Sequence, residues 1–322
     1  MTFAGLLVFL FLIIVRPQDF VSSLMGKPVV FVAMATVLPL WFLGGDDRAL
    51  VRTRVDRFAY LYFAAICVST LSTRWITYIF TQTIETMKIA LCYLFVVSIA
   101  DTWKRFRTAT WAIVLFMSVV AGMGVLQHYG IDITGIGMAY ARDKEVWQIR
   151  GAGNFDNPND LAYSVVIILP FALNLLLTSP NLLKKAVGAA LAGLAVYCIY
   201  LTNSRGGALA LVACFGSWVF LWTKNATARG FMLLGAAGAF LFVASTLAAG
   251  YHDDASSMGR INAWVAGMDL LREHPLIGVG KGQFIEFHER DAHSSFVRAG
   301  AEMGVLGLYA WVGMVLFSVV SL

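Results

Sequence analysis

The sequence predicts an all-α polytopic membrane protein, on the basis of its apolar composition, its low charge and its repeated long apolar runs. Of its 322 residues, 59% are hydrophobic and 13% are charged, and the mean hydropathy is +0.74. A soluble domain carries about 25% charged residues, which excludes that class. Apolar runs recur along the whole chain, and a helix needs about 20 such residues to cross a hydrocarbon core.

About ten membrane spans are expected, and together they make one transmembrane domain over residues 1–322. The first span opens directly after Met1 with no small-residue cleavage site, so it is predicted to be a retained span and not a removed signal peptide. The predicted spans are 2–15, 28–44, 58–72, 84–100, 108–126, 161–177, 186–202, 207–223, 230–250 and 298–320.

The loops between these spans alternate in basic residue content. Every second loop is basic, and these loops hold 11 Lys or Arg residues in 34 positions: 45–57, 101–107, 178–185 and 224–229. Because basic loops stay in the cytoplasm, the N-terminus is predicted to be cytoplasmic. The two long loops, 127–160 and 251–297, are then predicted to lie on the outer side.

The composition also argues against several other classes of function. The net charge of +5 is scattered among short loops, whereas nucleic-acid binding needs a clustered basic face, so no nucleic-acid partner is expected. Cysteines occur only within apolar runs and form no CxxC pair, which predicts small buried residues and neither disulfides nor a metal site: Cys67, Cys92, Cys198 and Cys214. No cofactor is expected. The two halves of the sequence contain no matching pair of interrupted helices, which is the usual sequence sign of a secondary transporter.

Glu85 and Lys88 are the two charged residues within the fourth predicted span. Charged side chains at the centre of a membrane cost about 2.5–3.5 kcal/mol each. Because the two residues are three positions apart, they are predicted to pair with each other near the outer boundary and not to form a catalytic site.

The first unusual outer segment is QIRGAGNFDNPNDLAYSVV, residues 148–166. Its Gly, Asn, Asp and Pro content predicts a structured turn that leads into a helix, with Asn159 or Asp160 as the N-cap. A capping loop without any further function is an equally good interpretation of this segment alone.

The second segment, YLTNSRGGALALV, places Arg205 in a short polar turn between two apolar runs. An arginine at a membrane boundary can simply extend towards the headgroups. Alternatively, the two following glycines allow a ligand to approach the backbone, and a helix is predicted to begin directly after Arg205. A guanidinium beside free N–H groups of a helix start is a phosphate-binding arrangement.

The third segment is the loop 251–297. Apolar residues at helical spacing predict an amphipathic helix lying in the membrane interface: Ile261, Trp264, Val265, Met268 and Leu271. Arg260 is placed in the first turn of this helix, where the dipole disfavours a cation, which suggests an anionic partner. Pro275 and three glycines then end the helix. His293 follows just before the last apolar run, while His274 and His288 carry no distinctive pattern.

Four segments, in this order, resemble the O-antigen ligase and O-antigen polymerase superfamily over about residues 148–312: RGAGNFDNPNDLA, TNSRGGALA, GRINAW…HPLIGVGKGQF and DAHSSFVRAGAEMGVLGL. The resemblance implies a helical bundle similar to GT-C glycosyltransferases in the bacterial inner membrane, with its active site facing the periplasm. Such enzymes move a glycan from undecaprenyl diphosphate to an acceptor, without a metal and with inversion. The acceptor is the lipid A–core in the ligase branch, another lipid-linked glycan in the polymerase branch, and protein Ser or Thr in related enzymes.

Carried over to this sequence, the resemblance makes Arg205 and Arg260 the essential arginines and His293 the essential histidine. Two guanidiniums can neutralise the charge that develops on a diphosphate leaving group. An imidazole is suited to accept the proton of the attacking hydroxyl at neutral pH. Other polar residues of the quoted segments are expected to contact substrate: Arg150, Asn157, Asn159, Asn203, Ser204, Trp264 and Lys281.

Two departures from the family pattern leave alternatives open. Ser294 follows His293 where the family often has Asn, which puts the acceptor in doubt. The chain ends at Leu322 inside an apolar run where relatives continue, which suggests a truncated chain or a shorter branch. The ligase is preferred, the polymerase and the protein-glycosylating enzyme remain alternatives, and a transporter of lipid-linked glycans is the rival from another class.

Overall fold

A computed structural model describes residues 2–43, 53–73, 76–141, 145–151, 155, 157–232, 234–235, 238 and 255–320. The helices of this part of the chain include α1 Thr2–Ile14, α2 Val29–Leu43, α3 Arg54–Thr70, α4 Ile76–Ile99, α5 Trp103–His128, α6 Pro158–Val165, α7 Ile168–Thr178, α8 Leu182–Leu201, α9 Arg205–Trp222, α10 Ala255–Glu273, α11 Phe284–Phe287 and α12 Ser295–Val320. A short 3-10 helix covers Pro17–Asp19. The predicted all-α class is therefore confirmed.

Six helices of the described part are long and apolar enough to cross a membrane: Thr77–Ile99, Trp103–His128, Pro158–Thr178, Leu182–Leu201, Arg205–Trp222 and Ser295–Val320. α1 and α2 are apolar but shorter. The predicted span 230–250 falls almost entirely outside the described residues, so the total of about ten stays a prediction. The fourth span begins well before its predicted start at residue 84, because the apolar residues Tyr78, Ile79 and Phe80 extend the helix ahead of the polar positions 81–83.

The chain divides into two compact units. Unit 1 comprises Met1–Gly44 and Ile99–Ala237, and unit 2 comprises Gly45–Ser98 and Gly238–Leu322. The prediction that the chain forms one transmembrane domain is a statement about both units together and stays a prediction.

Unit 1 is built around a core that α5, α6, α7 and α8 share. Val120, Leu161 and Ile168 are fully buried in it, as is the thiol-bearing Cys198. Burial was predicted for all four cysteines, but Cys67 is exposed and the other two are half-buried. The prediction was wrong for Cys67 because a membrane-type helix carries apolar residues on its outward face as well as on its packed face.

A β-hairpin in the loop 127–160 was not predicted. β1 Ala139–Ala141 pairs antiparallel with β2 Val146–Gln148, and Tyr140 faces Trp147 across the pair with ring centroids 5.1 Å apart. Strands of three residues are too short to display a period of two in the sequence. The Nε2 of Gln148 donates to the Thr202 carbonyl at 2.8 Å, so the hairpin is attached to the turn before α9.

Unit 2 is organised by a break in α12, which was predicted as a continuous span. Gly304 has φ 66° and ψ −161°, a backbone conformation that essentially only glycine adopts. The Ala301 carbonyl, just before the break, accepts a hydrogen bond from the Val279 N–H at 3.0 Å. Just after the break, the Val305 N–H donates to the Pro275 carbonyl at 2.7 Å. The loop that follows α10 therefore takes over hydrogen bonds that a continuous helix would make internally.

This loop approaches α12 so closely that side chains are excluded at the contact. A Cβ atom at Gly304 would lie 2.5 Å from the Leu276 carbonyl carbon, and one at Gly278 would overlap the Glu302 carbonyl. The predicted end of the helix near Pro275 is confirmed, since α10 ends at Glu273.

We expect Gly304→Ala to lower the thermal unfolding midpoint of the protein, purified in one detergent and followed by circular dichroism. The strained backbone alone costs about 1–3 kcal/mol for a residue with a Cβ, and the overlap with Leu276 adds to it. Gly193→Ala is the matched control, because no atom lies within 4 Å of its added Cβ and its backbone is helical. Equal midpoints for Gly304→Ala and the wild type would contradict this account of the break.

Candidate functional site

His293 occupies the junction between the loop 251–297 and α12. Its φ of 46° lies in the left-handed region, which is uncommon for a residue other than glycine. The side chain is exposed, and its imidazole forms no hydrogen bond or ion pair with any described residue. The next residue, Ser294, accepts a hydrogen bond from the Val297 N–H at 3.4 Å at the start of the helix. The imidazole is thus held at a helix entry with both ring nitrogens available.

Trp264 holds the segment before His293 in place. Its indole Nε1 donates to the Ala292 carbonyl at 2.9 Å, and Ala292 itself is fully buried. Trp264 was expected to contact substrate, and the structure gives it a direct role in positioning the histidine loop. Its ring remains 47% exposed, so part of the face is still accessible.

α10 packs on α12 through small residues and through Leu271 of its predicted apolar face, which lies against Gly300. Ala263 and Leu270 are buried, and a Cβ at Gly267 would overlap Val297. In contrast, Val265 and Met268 from the predicted apolar face are exposed. Only part of that face is therefore exposed, and its insertion into the membrane interface stays a prediction.

Arg260 lies in the second turn of α10 and is exposed. The prediction that it lies in the first turn was wrong, because the helix begins at Ala255, several residues before the first apolar position that marks its periodic pattern. Among the residues that the structure describes, the Arg260 guanidinium has no hydrogen-bond or ion-pair partner. The neighbouring Gly259 leaves space that the Arg290 side chain fills, since a Cβ there would lie 3.1 Å from the Arg290 Cδ.

Arg205 is the first residue of α9, so the helix begins one residue earlier than the predicted start directly after Arg205. Ser204 is the N-cap, and its Oγ accepts a hydrogen bond from the Gly207 N–H at 2.9 Å. Asn203, just before it, has φ 48° and is exposed. Arg205 is exposed as well, so a cation stands at the end of the helix where backbone N–H groups point outwards.

The two glycines after Arg205 serve helix packing. A Cβ at Gly206 would overlap the Tyr163 hydroxyl, and one at Gly207 would lie 2.5 Å from the Ala162 Cβ. These glycines therefore allow close contact between α9 and α6. This packing role replaces the interpretation that they make room for a ligand. The sequence alone could not distinguish helix packing from ligand binding, because each of these uses requires a residue without a side chain.

The N-termini of α6 and α9 are joined by a polar contact. The Ser204 Oγ donates to the Asn159 Oδ1 at 2.6 Å, and the Asn159 Nδ2 donates to the Asn157 Oδ1 at 3.1 Å. Asn157 is the N-cap of α6, so the prediction of Asn159 or Asp160 was wrong. The cap comes earlier because Pro158 lacks an N–H and suits the first helical position. These polar residues stabilise two helix starts beside Arg205.

Arg150 is engaged in the fold of the loop 127–160 of unit 1. Its Nε donates to the Gly137 carbonyl at 3.1 Å and its Nη2 to the Ile136 carbonyl at 2.6 Å. The same turn is tightened by Asp132. Burial by itself raises the pKa of the Asp132 carboxyl, but hydrogen bonds from Gly137 and Thr134 outweigh it and hold that pKa below its usual range.

A buried carboxylate, Glu302, was not assigned a role from the sequence. It is fully buried, and its Oε2 accepts from the Lys281 Nζ at 2.8 Å. Its Oε1 accepts from both the Nε and Nη2 of Arg298, at 3.0 and 2.9 Å. The Nη1 of Arg298 also pairs with Asp291 at 3.2 Å. The available signal was an acidic residue in an apolar run, four positions after an arginine.

Lys281 was expected to contact substrate, and the described contact of its ammonium is this ion pair. Two cations around one buried carboxylate satisfy both of its oxygens, which a buried charge requires. The pair between Glu85 and Lys88, at 2.5 Å, was predicted and is confirmed.

The three residues proposed for chemistry belong to different units. Arg205 lies in unit 1, whereas Arg260 and His293 lie in unit 2. Their convergence in one cavity stays a prediction. Among the described residues, no group of three or more His, Cys, Asp or Glu side chains is placed to hold a metal ion.

Comparison with protein families gives one finding. The sequence model of a family described as O-Antigen ligase matches residues 190–312. This range contains Arg205, Arg260 and His293, and it excludes the segment 148–166 on which part of the resemblance was based. The match confirms the resemblance for residues 190–312. No curated protein and no solved structure matches the chain.

We expect Glu302→Gln to destabilise the protein by about 3–5 kcal/mol, the range found when one partner of a buried ion pair is removed. The variant removes the buried carboxylate that Lys281 and Arg298 share, and leaves Arg298 with Asp291 alone as its described ion-pair partner. Asp269→Asn is the control, since it breaks an exposed pair with Arg272 that contributes about 0–1 kcal/mol. Denaturation in detergent measures the loss of stability of both variants. A loss for Glu302→Gln no greater than that for Asp269→Asn would contradict the role of Glu302 as the shared counter-charge of Lys281 and Arg298.

Proposed function

We propose that this chain is a membrane glycosyltransferase of the ligase type, because a family model described as O-Antigen ligase matches residues 190–312. It takes a glycan from undecaprenyl diphosphate and joins it to a hydroxyl of the lipid A–core, at the periplasmic face of the bacterial inner membrane. The observation that carries the proposal is that the matched range contains all three residues predicted for this chemistry. A GT-C-like arrangement of the helices belongs to the same proposal.

In the proposed reaction, an acceptor hydroxyl oxygen attacks the anomeric carbon of the donor sugar. A new C–O bond forms while the bond from that carbon to the diphosphate oxygen breaks, and its electron pair leaves with undecaprenyl diphosphate. His293 accepts the hydroxyl proton as general base. Arg205 and Arg260 hold the diphosphate and stabilise its growing negative charge. Attack opposite the leaving group inverts the anomeric configuration.

Two properties of the described residues support these roles. The His293 imidazole is exposed and unengaged in a strained backbone conformation, and such strain is concentrated at functional sites. Arg260 is exposed on α10 without a protein anion beside it, in contrast to Arg272 on the same helix, which pairs with Asp269. A cation that the fold does not use is available for an anionic substrate.

A transporter of lipid-linked glycans is the second candidate, and the break in α12 is the observation in its favour. Interrupted helices in transporters leave backbone groups available to bind substrate or ions. Here, however, the carbonyls of Ala301 and Glu302 accept hydrogen bonds from Val279 and Gly280. The break is filled by the chain's own loop, which favours a structural role and hence the enzyme.

We expect His293→Ala to reduce glycan transfer by about 10²–10⁴-fold, the contribution of a positioned general base. The assay supplies the purified protein with an undecaprenyl-diphosphate-linked glycan and lipid A–core, and measures the glycosylated product and the released undecaprenyl diphosphate. His128→Ala is the matched control, as it removes an exposed histidine at the end of α5.

The same assay separates the candidate functions. Product formed only when lipid A–core is present supports a ligase, whereas chain growth without core identifies a polymerase. Full transfer by His293→Ala at normal expression would exclude the histidine as the base. Movement of the lipid-linked glycan without any covalent product would identify a transporter.

We expect Arg260→Ala to lower transfer by about 10²–10³-fold, the usual effect of removing one group that stabilises developing negative charge. Arg272→Ala, on the same helix and also exposed, should keep nearly full activity. Both variants should unfold at the same temperature as the wild type, because neither side chain is buried. Equal activities of the two variants would remove Arg260 from the proposed site.

A further inference from the structure

Unit 2 contains a cavity, lined by both polar and apolar residues, that the proposed roles of the two arginines and the histidine do not explain. Its volume is about 380 Å³, within the range of about 300–1,000 Å³ of small-molecule sites. The end of α3, the loop after α10 and α11 surround it. The side chains that matter for its chemistry are Ser72, Thr73, His274, Gln283, Glu286 and Phe287.

The walls of this cavity are fixed by the hydrogen bonds that accompany the break in α12. The Gly278 N–H donates to the His274 carbonyl at 3.1 Å, and Val279 is bound to Ala301 as described above. The Tyr78 hydroxyl donates to the Lys281 carbonyl at 3.1 Å. Because the loop is held from several sides, the cavity exists before any ligand arrives, which lowers the entropic cost of binding.

The lining offers hydrogen-bond acceptors, donors and an aromatic face together. The hydroxyls of Ser72 and Thr73 donate to the backbone at 2.6 and 2.8 Å, which leaves their lone pairs to accept. In the described part of the chain, the side chains of His274 and Glu286 form no hydrogen bond or ion pair. The Phe287 ring is 56% exposed. Hydroxyl groups around an apolar C–H face, as a sugar ring has, match this combination.

Charge narrows the class of sugar. Glu286 brings a carboxylate to the cavity, and the nearby cation Lys281 is engaged with Glu302. No Lys or Arg is present among the described lining residues, so a phosphate, a diphosphate or an acidic sugar would meet the Glu286 carboxylate without a guanidinium or ammonium from them. A neutral sugar can instead donate its hydroxyls to Glu286, with the strength of a charge-assisted hydrogen bond.

The predicted topology places the cavity on the same side of the membrane as His293. α3 starts at Arg54, within the basic loop 45–57 that is predicted to be cytoplasmic, so its far end with Ser72 and Thr73 is predicted to face outwards. α11 belongs to the loop 251–297, which also carries His293 and is predicted to lie outside. The cavity and the proposed base are thus predicted to lie on one side of the membrane.

We propose that this cavity is a subsite for an uncharged sugar residue of the acceptor glycan. The identification of this sugar as part of the acceptor rests on the proposed function, whereas the preference for an uncharged sugar rests on the described lining residues alone. It assigns the lipid diphosphate donor to the arginines and the acceptor to Glu286 and its neighbours.

Binding is tested on the full-length purified protein in detergent, with a neutral glucose disaccharide and a disaccharide of the same size that contains glucuronate. Saturation-transfer NMR and titration calorimetry should detect the neutral probe and a weaker interaction with the acidic one. Glu286→Gln should weaken neutral-probe binding about tenfold or more, since a hydrogen bond to a charged group is replaced by a neutral one. The preference for the neutral over the acidic probe should fall as well.

Glu289→Gln is the matched control, because it makes the same change of charge in the same loop outside the cavity. Phe287→Ala provides a second variant, which should weaken both probes without altering the unfolding temperature, since the ring is exposed. Neutral-probe binding that is unchanged in Glu286→Gln, or equal binding of the two probes to the wild type, would overturn the subsite.

Kinetics then decide which substrate supplies the sugar. Glu286→Gln should raise the KM for the acceptor about tenfold or more while the KM for the lipid-linked donor stays within twofold. A rise in the donor KM alone would overturn the assignment to the acceptor. Sugar binding that depends on Glu286 in a protein that transfers no glycan would reject the proposed function and leave the sugar site standing.

Discussion

Unit 2 depends on the exchange of backbone hydrogen bonds between the broken helix α12 and the loop after α10. A helix interrupted at membrane depth is tolerated only where protein satisfies its polar backbone groups. Val279, Gly280 and Pro275 do so for the residues that flank Gly304. The same loop continues into α11 and returns to His293, so the break fixes where the proposed base can stand.

Electrostatic pairing divides the cations of unit 2 into two groups. Lys281 and Arg298 are held by Glu302, a carboxylate without solvent exposure, and they therefore stabilise the fold around the break. Arg260 is exposed, and the described residues give it no such partner. The fold thus supplies its own counter-charges where rigidity is needed, and keeps a guanidinium for the anion that the proposed reaction releases.

The sequence predicted features that depend on composition or on residues near one another in the chain. These were the membrane class, a helix start within one residue of Arg205, the helix end near Pro275 and the pair of Glu85 with Lys88. Features that depend on distant partners were missed: the position of the N-cap at Asn157, the packing of Gly206 against Tyr163 and the break at Gly304. A glycine in an apolar run has the same appearance whether it admits a ligand, a neighbouring helix or a loop, and only the packed chain separates these uses.

At His293 the left-handed backbone lowers the stability of the fold, while the side chain is required for the proposed chemistry. A residue with a side chain costs about 1–3 kcal/mol in such a conformation, and glycine does not. Under the proposed reaction, selection for heat resistance alone would favour glycine at 293 and would eliminate the enzyme. Thermostable versions of this protein therefore have to be sought with transfer activity as a second criterion, because at this residue the two properties improve in opposite directions.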